Sequence, residues 1–204
     1  MGMKKVKMLK RLLLVTILFA LMLAPLNASA ASQKTKAMKA YKSYMAKKGS
    51  SARFAVAYLD KDSVPELIYY VPSKPLYKVF TWKSGKMKTM FSADYSKDVS
   101  NLYDFTHYYK KKGVLLAVPY SGAAGISGKN YFAYSGGKYK CVLSRNNSFG
   151  KISYYKVSGT KTLKYTKISA SQFNKSLKKL VGNTKASKLA YYKNTAANRT
   201  KRLK

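Results

Sequence analysis

Acidic side chains are scarce in this chain: six Asp and Glu stand against 41 Lys and Arg in 204 residues, and Glu66 is the sole glutamate. Asp60, Asp62 and Glu66 share one short stretch, and the others are Asp94, Asp98 and Asp104, which leaves little material for hydrolysis by a carboxylate pair. Cysteine is nearly absent. Cys141 alone excludes an intrachain disulfide, so stability must come from the core. Its neighbours Lys140, Val142 and Leu143 predict a strand and a buried, inert thiol. His107 is the one histidine, and no zinc-ligand spacing exists. Cys141, His107 and Asp104 supply the letters of a nucleophilic triad, but in an extended strand residues 104 and 107 point to opposite faces, leaving Asp104 badly placed to orient His107.

A long apolar run occurs once. Residues Met1 to Arg11 carry five basic side chains, Leu12 to Leu26 is almost unbroken hydrophobic sequence, and Asn27-Ala-Ser-Ala30 offers small residues for cleavage. That order is expected of a secretory signal peptide spanning 1–30, cut after Ala30. An uncleaved anchor is the alternative, although the apolar run is shorter than the ~20 residues a helix needs to span a bilayer. The expected location is secreted or extracellular, with association to the cell wall.

Without those thirty residues, 36 basic side chains face six acidic ones. Such an imbalance attracts polyanions in a salt-dependent way, and outside a cell the candidates are anionic wall polymers or a membrane surface. Arginine is rare among the cations, at 53, 145, 199 and 202 only, and the lysines are dispersed. Scattered ammonium groups give phosphate affinity without base readout, so no specific nucleic acid is expected. A lysine coat that serves solubility alone is the competing reading.

Periodicity predicts an α+β fold, an antiparallel β-meander with an N-terminal and a C-terminal helix. Within 31–50, Ala37, Met38, Tyr41, Tyr44 and Met45 form one helical face, with Gly49 as the stop. Over 51–168, short runs rich in Tyr, Val, Phe and Thr alternate with turns at Gly85, Gly113, Gly137 and Gly159, a loose repeat compatible with a curled sheet or part of a propeller. Within 169–204, Ser169-Ala-Ser-Gln172 fits a capping box ahead of Phe173, Leu177, Leu180 and Val181, Gly182 closes that helix, and Asn194 is a candidate cap for a short terminal helix. Tyrosine doublets at 69–70, 108–109, 154–155 and 191–192 should send one ring to each face of a strand. The residues 31–204 are expected to form one domain.

Two segments are candidate sites. The stretch Phe54 to Tyr70 joins two apolar runs through an acidic loop, with Asp60, Asp62 and Glu66 as candidate metal ligands. Tyr58-Leu-Asp-Lys-Asp-Ser-Val-Pro-Glu-Leu67 resembles the D-x-D-x-D-G-x-P-E-L hairpin of uncharacterised exported proteins of low-GC Gram-positive gut bacteria. That hairpin is itself similar to the calcium loops of FG-GAP propeller blades. Asp60, Asp62, Pro65, Glu66 and Leu67 match the pattern, whereas Tyr58 replaces its first Asp and Ser63 its Gly. The resemblance implies an exported lineage and, with those departures, no cofactor beyond weakly held Ca2+. The second segment, Pro119 to Lys129, is the richest in glycine and offers Ser121, Gly122, Gly125, Ser127 and Gly128 as a ligand loop. Together these features lead to the expectation of a secreted non-catalytic domain held by anionic cell-surface polymers. A secreted hydrolase using Cys141 or His107, or a small-ligand-binding module, is the alternative.

Overall fold

The structure, a computed structural model, describes residues 31–74, 76–94, 103–119, 126–159 and 163–204; the expected signal peptide lies outside them. Helix α1 covers 31–46. Four strands follow, β1 (Arg53–Ala57), β2 (Glu66–Val71), β3 (Leu76–Lys83) and β4 (Lys86–Asp94), and then six more: β5 (Tyr103–Tyr109), β6 (Val114–Pro119), β7 (Ile126–Ser135), β8 (Lys138–Ser148), β9 (Lys151–Ser158) and β10 (Lys164–Ile168). Helix α2 (Ala170–Val181), β11 (Ser187–Lys188), β12 (Tyr192–Lys193) and α3 (Ala196–Arg202) complete the chain.

The meander is antiparallel throughout but divides into two sheets, of strand order β12-β1-β2-β3-β4 and β10-β9-β8-β7-β6-β5-β11. Strand alternation explains why both faces of each sheet are covered. Ala55, Ile68, Tyr77 and Val79 of the first sheet share one core with Phe105, Leu115, Phe132 and Cys141 of the second. The opposite face of the first sheet, with Phe54, Leu67, Tyr69 and Phe80, is covered by Ala37, Met38, Tyr41 and Met45 of α1 and by Leu203. The opposite face of the second, with Tyr109, Leu116, Tyr131 and Leu143, is covered by Phe173 and Val181 of α2. The result is the expected α+β meander with a helix at each end, arranged as a helix–sheet–sheet–helix stack over two sheets. Two of the tyrosine doublets divide as strand alternation requires: Tyr69 faces α1 and Tyr70 the shared core, while Tyr108 faces the shared core and Tyr109 α2.

Local chemistry sets the element ends. Ser169 and Gln172 form the expected capping box, and Gly182 closes α2 with φ 60° while its N–H donates to the Lys178 carbonyl. The β5–β6 turn places Gly113 at φ 63°, a left-handed conformation that favours glycine. One turn has no counterpart in the sequence reading. Strand β8 runs on through Asn146-Asn-Ser148, and the chain reverses at Phe149 and Gly150, φ 49° and 84°. Both residues are left-handed, as a two-residue hairpin requires, and Phe149 is 75% exposed. Asn and Asp fill such positions more easily than Phe, which is why the turn is inconspicuous in the letters.

Asn194 does not cap the terminal helix. Thr195 does, its hydroxyl accepting from the Asn198 N–H. Buried Asn194 instead donates through Nδ2 to the carbonyls of Met45, Lys48 and Gly49, at 2.9, 2.9 and 3.2 Å, closing the C-terminal end of α1. Arg199 Nη1 holds the amide from behind, donating to Asn194 Oδ1 at 3.0 Å.

Candidate functional site

Strand β1 leaves the first sheet at Ala57 and β2 returns at Glu66, so the acidic loop is the connection of an antiparallel hairpin. Two successive side-chain turns shape it. Asp60 Oδ1 accepts the Asp62 N–H at 3.0 Å, and Asp62 Oδ1 accepts the Val64 N–H at 2.8 Å, the conformation in which Asp mimics a backbone turn. The loop is also pinned to the other sheet: the Lys111 and Gly113 N–H groups donate to the Tyr58 and Leu59 carbonyls at 3.0 and 2.6 Å. Nothing in the spacing of the sequence pairs those two turns.

Glu66 is the centre of this construction. Its side chain is fully buried, with Oε2 accepting the Leu59 N–H at 2.8 Å and Oε1 accepting the Thr81 hydroxyl at 3.1 Å. Burial, reinforced by the neighbouring Asp60 carboxylate, pushes its acid up to about 8 in spite of those two donors. Burial likewise raises Asp62, with Asp60 adding to the effect and the Val64 N–H and Lys83 opposing it. Carboxylate oxygens of Asp60, Asp62 and Glu66 lie within 4.8 Å of one another, so the three residues named from sequence do converge. An open cleft of about 300 Å3 adjoins Asp62, between Ser63, Trp82 and Lys83.

As a calcium cradle the set is thin. Calcium takes six to eight oxygens, and here one oxygen of each Asp and both of Glu66 already accept protein donors. Two buried hydroxyls near the carboxylates have no hydrogen-bond partner, Tyr41 of α1 and Tyr139 of β8. Burial raises both phenols and the Glu66 carboxylate raises them further.

The nucleophile candidates stand apart. Cys141 is on β8 and His107 on β5, with β7 and β6 between them, a separation of about 14 Å at the usual strand spacing. Burial pushes the thiol up to about 12, and Sγ donates weakly to the Leu143 carbonyl. His107 Nδ1 lies 3.0 Å from the Thr106 hydroxyl. A bulge between Phe105 and His107 shifts the register there, so the strict alternation assumed between 104 and 107 does not hold. Asp104 is engaged elsewhere, its Oδ1 accepting the Tyr77 hydroxyl at 2.6 Å. Of the glycine-rich segment, Ser127 and Gly128 are strand residues opposite Asn147 and Asn146 in the β7–β8 ladder, not loop residues, whereas Ser121, Gly122 and Gly125 lie outside the described residues.

Among the described residues no lysine is buried, and most are exposed. No described helix is long and apolar enough to cross a membrane. Comparison with protein-family models, curated proteins and solved structures returns no match.

Proposed function

We propose that this chain is an exported, non-catalytic domain that attaches to anionic cell-surface polymers through its lysine-covered surface. The observation that carries the reading is the separation of charge: lysines occupy the surface, while Asp60, Asp62 and Glu66 are gathered in one loop and Asp104 bonds Tyr77. Those acids are spent on the fold and leave the positive field largely uncompensated. Dispersed ammonium groups then act as point charges on a phosphate- or carboxylate-bearing chain, without a fixed register.

The test is cosedimentation with a purified wall polyphosphate and with neutral dextran across a salt series. For about five phosphates neutralised, affinity is expected to fall ~100-fold between 50 and 200 mM salt, with no binding to dextran. Binding that ignores salt, or that is missing at 50 mM, would count against it.

One observation favours a second reading, a weak calcium site: the convergence of Asp60, Asp62 and Glu66 oxygens. Calcium titration by calorimetry is expected to give a Kd near 1 mM, the order found for extracellular modules, with proton release as Glu66 ionises. No heat up to about 10 mM calcium would eliminate this reading.

A further inference from the structure

At one end of the shared core a second open cavity, of about 310 Å3, is lined by residues of both sheets. Its construction follows from strand register. Arg53, Tyr70 and Tyr77 are direct cross-strand partners on β1, β2 and β3, so their side chains form one row facing the second sheet. Tyr70 and Tyr77 stack with ring centres 4.2 Å apart, and the Tyr77 hydroxyl reaches across to Asp104 of β5. The chain then returns along this end: the Leu189 N–H donates to the Thr106 carbonyl at 2.8 Å, β11 brings Lys188 to the rim, and Tyr191 closes the far wall edge-on to Tyr70.

The lining is chemically divided. Buried Tyr77, Phe105 and Leu189 make an apolar floor, exposed Arg53 and Lys188 put two cations at the rim, and half-buried Asp104 is the one carboxylate. Tyr77 occupies one Asp104 oxygen, and the Tyr191 hydroxyl is buried beside it with no partner. An apolar cleft with a few convergent polar groups is the usual form of a small-ligand site, and this volume is at the low end of the ~300–1,000 Å3 range. That size suits one ring and not an extended chain. Ring C–H groups fit against tyrosine, hydroxyls donate to a carboxylate, and two cations against one anion select a negatively charged ligand.

We propose that this cavity binds a single acidic sugar unit, its carboxylate or phosphate held by Arg53 and Lys188 and its ring hydroxyls by Asp104. The site is distinct from the diffuse lysine surface and does not depend on it. Titrations of the full chain with D-galacturonate, D-glucose 6-phosphate and neutral D-galactose, followed by amide chemical shifts, test it. At least one acidic sugar is expected to saturate, with shifts concentrated at residues 53, 70, 104 and 188–191, and galactose is expected to bind at least about tenfold more weakly. Saturation by galacturonate alone identifies a carboxylate as the anion, and by glucose 6-phosphate alone a phosphate. Arg53→Met removes an exposed side chain, so the fold should persist, and affinity is expected to drop about tenfold. The proposal is overturned if neither acid saturates by about 10 mM, if shifts scatter over the lysines, or if Arg53→Met binds as tightly as the parent.

Discussion

Replacing Glu66 by glutamine is expected to stabilise the protein at pH 7 and above, and to flatten its stability between pH 5 and 8. The buried acid titrates near 8 in the folded chain against an ordinary value of 4.5. The folded state therefore holds a proton that the unfolded state releases. Below about 4.5 both states are protonated and the stabilisation is fully present; it is lost as pH rises from there to about 8. At pH 7 the linkage costs about 3 kcal/mol. Glutamine has the shape of the neutral acid and still offers an acceptor to the Leu59 N–H, while the Thr81 hydroxyl can turn to accept from the new amide. Urea unfolding at pH 5, 7 and 8.5 decides the matter. The parent should lose stability across the series and Glu66→Gln should stay within about 1 kcal/mol; a parent that gains stability with pH, or a glutamine variant weaker than the parent at pH 8.5, would contradict the buried neutral acid.

Asn194→Ala should rank among the most damaging single changes, at about 2–4 kcal/mol. Its Nδ2 is shared by three carbonyls at the end of α1, and its Oδ1 receives Arg199. Deletion takes the side-chain donor from three carbonyls at the helix end: those of Met45 and Gly49 keep the Lys48 and Ala52 N–H groups, while the part-buried Lys48 carbonyl and the Arg199 guanidinium lose this partner. It also loosens α1 from the sheet it covers, where Tyr41 and Met45 are fully buried. Denaturant midpoints should shift with unchanged m-value, and amide exchange should quicken in α1 more than in α2. A loss under about 0.5 kcal/mol would show that solvent satisfies those carbonyls after all.

Much of the fold is legible in the letters because the relevant forces are local. Glycines at 85, 113 and 137 all take positive φ in turns, a conformation glycine reaches without steric cost. The Tyr69–Tyr70 doublet divides between faces because strand geometry leaves no alternative, and Ser169 caps α2 through residues three positions away. The misses have a common cause. Strand β8 continues through polar Asn146 and Asn147 because β7 and β9 flank it on both sides, and hydrogen bonds from neighbours override side-chain preference. Strands β11 and β12 are two residues each, too short to carry any period. Asn194 looked like a local cap because Asn is one; its carbonyl partners lie about 145 positions away in the chain.

The acidic loop shows the same division at the candidate site. Asp60 and Asp62 build their turns from residues two positions ahead, so convergence of the three carboxylates was visible in one short string. That the Glu66 acid is pushed up was not, because its acidity depends first on burial, then on the Asp60 carboxylate, and on a loop held by the turn at Lys111 and Gly113. Composition and short-range pattern were enough to establish strands, caps, helix faces and an uncompensated positive charge. Folding decided that the meander splits in two, that its C-terminal strands close the edges, and that Arg53, Asp104 and Lys188 meet around one cavity. Contacts of that kind depend on which distant surfaces exclude water together, and a linear pattern of residues does not encode them locally.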